Sequence, residues 1–273
     1  MKIILSRKGF DSGYGKCPSP ILPDGTLLSM PIPGENEEEN VLHFSDISYN
    51  GVSYDKIWSD ISPKSYEKYS GKHTCHLDPD IRSGLRNNPV QKWMPAFGQC
   101  SAAAKHLDNQ NVGKGDVFLF FGWFKQTEFV DGKFRYVKNA PNLHIIYGYM
   151  QIGDILREKQ ISEYFWHPHS FKQNDYIDNR LYVPTEKLII DGTEYDLPGS
   201  GVFNCQKKYI LTKDGFSRRL WDVPDWFRNV KITYHSEKSF KETGFLSACR
   251  GQEFVIEENN NNAIWLKDLI VAR

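Results

Sequence analysis

The sequence predicts an α+β fold: a single strand-rich domain over residues 1–273, built on a mixed or barrel-like sheet with flanking helices. Three observations predict it. The chain holds seven Trp, fourteen Tyr and seventeen Phe within a 40% hydrophobic content, enough to fill a large one-core β-rich fold. Its apolar runs are short and continuous, and Gly, Asp, Asn and Pro punctuate them, as expected of buried strands joined by turns. Strong helix-forming composition is confined to two stretches, residues 101–107 and 263–271.

Residues 2–6 read as a short buried strand that runs into a polar loop with glycines at 9, 13 and 15, followed by proline and Pro-Asp-Gly turns. Residues 35–39 read as an acidic surface loop, residues 41–44 as a strand, and the Tyr-rich stretch up to residue 70 as weakly helical. Residues 112–155 give the clearest unit. The 101–107 helix stops at Val112-Gly-Lys-Gly-Asp116, the apolar strand 117–124 follows, Asp131-Gly132 supplies a hairpin turn, and a second aromatic strand runs over 143–152. Further strands are expected at 181–183, 188–190, 208–212, 231–235 and 253–257. The Asn tract 259–262 reads as a surface loop. No internal repeat is visible.

Lys plus Arg and Asp plus Glu balance at 34 each, so no bulk field would hold the protein on nucleic acid or an anionic membrane. Five scattered cysteines without a CxxC argue against a disulfide framework or a cysteine zinc site and suggest a reducing compartment. The opening apolar run is four residues long, too short for a signal-peptide core, and no stretch approaches 18 apolar residues. A cytoplasmic protein without membrane association is expected.

The opening loop is the densest polar feature. Arg7, Asp11, Ser12, Ser19 and Asp24 lie close to strand ends, and the glycines let backbone N–H groups approach an anion or sugar beside a guanidinium. Turn chemistry is the competing explanation of the same residues. The spacing is neither a P-loop nor GxGxxG.

His76-Leu-Asp78 is an HxD step. With a distant histidine, His144, His167 or His169, it meets the ligand count of a two-histidine, one-carboxylate iron site, while a plain turn through Asp78-Pro-Asp80 is the alternative. The set His76, Asp78 and His169 is taken as the candidate metal site, with a divalent transition metal such as iron as its cofactor. Pro168 is expected to point the rings of His167 and His169 apart, and either histidine can act as a base. His144 reads by default as a core or edge histidine. Asp11, Asp78, His167 and His169 are the candidate acid–base residues.

The strand around Phe118-Leu-Phe-Phe-Gly-Trp-Phe124 is simplest as core. Its rival is an aromatic slot in which Trp123 faces Tyr147 or Tyr149 and stacks a planar base. Arg218 and Arg219 precede the indole of Trp221 and suit phosphate contact with stacking. No GxSxG, HExxH, kinase or deaminase signature occurs.

Several segments together resemble the third type of nucleotide modification associated domain, found in bacteria and their phages. They are ILSRKGFDSGYGKCPSPILPDGTLLSMPIP, HLDPDI, FGQCSAAAKHL, VGKGDVFLFFGWF, LHIIYGYMQIG, WHPH, GSGVFN and ACRGQEF, and they span nearly the whole chain. The resemblance implies work alongside enzymes that make or handle modified nucleotides. It places the family's polar positions on Arg7, Asp11, Ser12, Asp24, His76, Asp78, His106, His167 and His169, without a role for any of them. It departs at Cys249, where alanine is expected. The 112–155 unit alone is similar in pattern to PUA-like modules that read modified bases, an analogy of fold.

Two functions follow as expectations. One is an enzyme acting on a modified nucleotide or nucleic-acid base in a DNA-modification system, with other enzymes of that system as partners. The alternative is a non-catalytic reader that stacks a modified base on Trp123 and clamps phosphates with Arg218 and Arg219. The ligand is a nucleotide or modified nucleobase, free or within DNA.

Overall fold

A computed structural model describes residues 1–34, 42–69, 73–171 and 177–272. The chain is α+β and strand-rich, and its main sheet is mixed and curled into a half-barrel. The strands lie in the spatial order Glu253–Ile256, Ile3–Arg7, Val117–Val130, Leu143–Arg157, Arg180–Pro184 and Phe97–Gln99. Ile3–Arg7 runs parallel to Val117–Val130 and antiparallel to Glu253–Ile256, and the remaining pairs along this path are antiparallel.

The two long strands begin where the sequence predicts but run on to Val130 and Arg157. Their outer halves are less buried, and apolar patterning alone misses them. The Asp131-Gly132 turn joins Val117–Val130 to Lys133–Tyr136, with both residues at positive φ as a two-residue hairpin requires.

Phe97, Phe118, Phe120 and Tyr182 pack ring to ring in the core, with Phe97 4.9 Å from Phe118 and 5.1 Å from Phe120. A second cluster gathers Phe10, Phe44 and Trp58 under the helix Tyr54–Ile61. A third holds Ala96, Ile161, Tyr164, Trp166 and Leu181.

Polar groups bind the two ends of the sheet path to each other. Gln99, on one terminal strand, donates to Oε1 of Glu253, on the other, and Lys8 Nζ lies 3.0 Å from the same oxygen. Lys8 is 7% exposed and Glu253 1%. The ammonium also sits 4.4 Å from the centre of the Phe97 ring. His106, on the helix Ser101–Asn109, reaches the Glu253 carbonyl at 3.1 Å. These contacts hold the curl across the gap between the end strands.

Several predicted elements take another form. Residues 208–212 are a 3-10 turn over Lys207–Tyr209 with isolated bridges, Ile210 to Ile145 and Thr212 to Trp221, because the turn uses up the first half of the segment and leaves single contacts to two different strands. Residues 231–235 make one bridge, Ile232 to Ile256, before Tyr234 turns the backbone at φ 64°. His43 bridges Thr74 and leads into a 3-10 turn rather than a strand, while Val41 and the acidic stretch 35–39 fall outside the described residues. The Asn tract is no loop. Asn259 caps the helix Asn260–Leu266, and buried Asn262 donates to the carbonyls of Met1 and Glu257. Among the described residues, no helix is long and apolar enough to cross a membrane.

Replacing one partner of a buried ion pair strands the other charge, at a cost of about 3–5 kcal/mol, whereas replacing both is far milder. Glu253→Leu should therefore lower unfolding stability in urea by about that amount. The double variant Lys8→Met/Glu253→Leu should recover most of the loss, and a cost for Glu253→Leu under ~1 kcal/mol would show that the pair does not hold the curl.

Candidate functional site

The structure sorts the candidate residues into two places. The first is a ring of imidazoles around Asp78. His76 and Asp78 lie at and just after the short strand Cys75–His76, while His167 and His169 flank the first turn of Pro168–Phe171. His167 Nε2 is 3.3 Å from Oδ1 of Asp78, and the Nε2 atoms of His76 and His169 are each 3.9 Å from Oδ2. One ligand atom from each of His76, Asp78 and His169 fits within 4.8 Å of the others. The expectation that Pro168 separates the two histidine rings is thereby corrected: the short helix it starts brings them to the same carboxylate, with centroids 5.6 Å apart.

Neighbouring groups fix the orientation of this ring. The Gly98 amide donates to Oδ1 of Asp78 at 2.8 Å. A Cβ on Gly98 would meet the His169 ring at 2.2 Å, so glycine is what lets the strand pass so close. Asn179 Nδ2 donates to the His169 carbonyl at 2.9 Å, which settles the amide's orientation and makes its Oδ1, 2.7 Å from His169 Nδ1, an acceptor. The proton of a neutral His169 ring is then on Nδ1, and its Nε2 lone pair faces the Asp78 side. Burial pushes the His169 imidazole down to about 3, which keeps the ring neutral. Burial alone would raise the Asp78 carboxyl, but the contact with His167, the largest opposing influence, prevails and holds the group well below the usual carboxylate range. His167 is fully buried beside this carboxylate.

Two imidazole nitrogens and a carboxylate oxygen are the donor set of an open divalent site. Metal–ligand bonds of about 2.1 Å bring neighbouring donors to about 3.0–3.4 Å of each other. The donors stand 3.9 Å from Asp78 and up to 4.8 Å from one another, so loading a metal requires them to draw in by about half an ångström to somewhat over one, and the part-buried His76 side chain is the one with room to move.

The second place is a cleft of about 140 Å³ lined by Arg7, Phe10, Asp11, Ser12, Trp123, His144, Arg218, Arg219 and the Ala248-Cys249 segment. Arg7 ends its strand with the guanidinium bonded to the carbonyls of Cys249 (2.9 Å) and Ala248 (2.6 Å), leaving buried Nε without a partner. Burial pulls the Arg7 guanidinium below its ordinary range. Arg219 is anchored on the Ser247 carbonyl through Nε and one terminal nitrogen. Arg218 lies 4.1 Å over the Trp123 ring, and its guanidinium makes no hydrogen bond among the described residues. Asp11 brings the one carboxylate of the lining, its Oδ1 holding the amides of Gly13 and Tyr14, both at 2.7 Å.

This geometry corrects three expectations. Trp123 does not face Tyr147 or Tyr149. Its cross-strand neighbour is His144, Arg218 covers its ring, and both tyrosines are buried in the core, Tyr149 stacked on Phe203. The indole beside the arginines is Trp123 and not Trp221, which is fully buried. Asp11 lines the arginine cleft, and no histidine of the Asp78 ring does. Ser19 and Asp24 belong to neither place: buried Ser19 accepts from the Met30 amide at 3.0 Å, and exposed Asp24 caps its turn at the Thr26 amide.

Sequence reasoning missed Gly98, Asn179 and the carbonyls of Ala248 and Cys249, and it set His144 aside as core. His144 is buried, but it walls the cleft. Trp221 Nε1 donates to its Nδ1 at 3.0 Å, so the ring carries its proton on Nε2, and burial with the adjacent Arg7, Arg218 and Arg219 holds it neutral, well below the ordinary histidine range.

No curated protein and no solved structure matches this chain. The likeness to PUA-like modules accordingly rests on the sequence pattern of residues 112–155. The profile of nucleotide modification associated domain 3 matches residues 2–257, nearly the whole chain and every residue of both places described above. The chain belongs to the family of nucleotide modification associated domain 3.

Proposed function

We propose that the chain is an enzyme of a nucleotide-modification system and that its reaction centre is a divalent metal held by His76, Asp78 and His169. The carrying observation is the convergence of these donors on one point, with the His169 tautomer fixed by Asn179 so that Nε2 offers its lone pair. A metal there supplies Lewis acidity toward a substrate oxygen and lowers the pKa of a bound water. The protein's share is orientation: the Gly98 amide and His167 hold the Asp78 carboxylate, and Asn179 holds the imidazole of His169. Two histidines and one carboxylate leave positions open for substrate, which a closed structural site would not. Reading a modified base would need an aromatic cage, and Arg218 covers the ring face of Trp123 where stacking was expected.

Dialysis against a divalent first-row metal followed by elemental analysis should give near one equivalent of metal per chain. His76→Ala, which alters a part-buried side chain, should abolish uptake while far-UV circular dichroism stays unchanged. Full retention of metal by both His76→Ala and Asp78→Asn would exclude this centre.

Losing an outer partner of a metal-bound histidine lowers affinity by about 10–100-fold. Asn179→Ala should do so here, and the 15N spectrum of the apo variant should show His169 distributed over both tautomers where the parent shows a proton on Nδ1. An unaltered spectrum would mean that Asn179 does not set the tautomer.

A further inference from the structure

We infer that the cleft of Arg7, Arg218, Arg219 and His144 is a phosphate-monoester site that takes the terminal phosphate of a mononucleotide. Three guanidiniums share the cleft with one carboxylate, Asp11, an excess of two positive charges in a chain whose net charge is zero. Such a gathering of like charge is unfavourable unless an anion offsets it. A phosphate monoester carries close to two negative charges at neutral pH and three strong acceptor oxygens. The charge of the cleft and the charge of this ligand match.

The donors are arranged for oxygen. Arg7 and Arg219 are each pinned through part of the guanidinium to main-chain carbonyls, so binding need not order them. Arg218 rests on the Trp123 indole and keeps its N–H edge unpaired among the described residues. The indole in turn is braced by its Nε1, which donates to Asn142 at 2.8 Å. His144 contributes a neutral N–H donor in place of a further charge, its tautomer fixed by Trp221.

Size and field favour a monoester over a nucleic-acid backbone. The cleft of about 140 Å³ holds a phosphate and part of a sugar, and a zero net charge supplies no bulk field to hold a run of successive phosphodiesters. The inference stands apart from the metal centre, since no residue of the Asp78 ring lines this cleft.

The test is calorimetric titration of chelator-treated full-length protein with deoxyadenosine 5′-monophosphate, inorganic phosphate and deoxyadenosine. It is repeated with a single-stranded oligonucleotide with and without a 5′-phosphate. Expected results are saturable binding of the monophosphate and of phosphate, none of the nucleoside, and oligonucleotide binding only when the 5′-phosphate is present. Arg218→Ala should raise the monophosphate Kd at least tenfold, with Arg218→Lys in between, because lysine keeps charge but loses the planar stack on Trp123. Binding should tighten as pH rises through about 6, where the phosphate gains its second charge while His144 is already neutral. Circular dichroism of each variant checks the fold. Equal affinity of parent and Arg218→Ala for the monophosphate would overturn the inference. So would oligonucleotide binding that ignores the 5′-phosphate while the mononucleotide fails to bind.

Discussion

The buried contact of Lys8 and Gln99 with Glu253 is the constraint from which the rest of this structure follows. A curled sheet with six strands along its main path leaves its two terminal strands facing each other, and here Gln99 of one donates to the carboxylate of Glu253 on the other, which Lys8 also meets. Burying an ammonium and a carboxylate is expensive, and the cost is met by the contact between them, the amide of Gln99 and the face of Phe97 under Lys8 Nζ. Both candidate sites adjoin this knot. Arg7 immediately precedes Lys8 and enters the arginine cleft, and Gly98 immediately precedes Gln99 and orients Asp78. The ends of the strands Ile3–Arg7 and Phe97–Gln99, tied through this knot, therefore each carry a residue of one site.

The two sites make complementary demands. Around Asp78, the neutral imidazole of His169 and an ionised carboxylate present lone pairs, which suits a cation. In the cleft, guanidiniums and a neutral imidazole present N–H groups, which suits an anion. An enzyme acting on nucleotides has use for both, one to activate and one to hold, and membership of a nucleotide-modification family gives the pairing its context.

Much of this was legible in the sequence where the signal is local. The apolar strands, the Asp131-Gly132 hairpin and the helix Ser101–Asn109 follow from composition and turn chemistry. The HxD step announced itself through spacing, and Arg7, Asp11, Ser12, Trp123, Arg218 and Arg219, proposed as site residues on side-chain chemistry, do line one cleft. What stayed hidden is what long-range packing decides. Asn179 and Gly98 act through one hydrogen bond and through a missing methyl group, and neither leaves a mark in the local sequence. Ala248 and Cys249 contribute carbonyls that any residue would carry. Lys8, at the end of an apolar strand, reads as a surface charge until Glu253 arrives from 245 residues away. The expected Trp123 slot failed because the strand register puts His144 across from Trp123 and Tyr149 across from Leu119, and register is set by long-range pairing.

Anomalous diffraction from crystals grown with cobalt(II) is the decisive test of a metal held by His76, Asp78 and His169. One dominant peak is expected about 2.1 Å from the Nε2 atoms of His76 and His169 and from an Asp78 carboxylate oxygen. A dominant peak elsewhere, or no peak there at full cobalt occupancy of the medium, would contradict it.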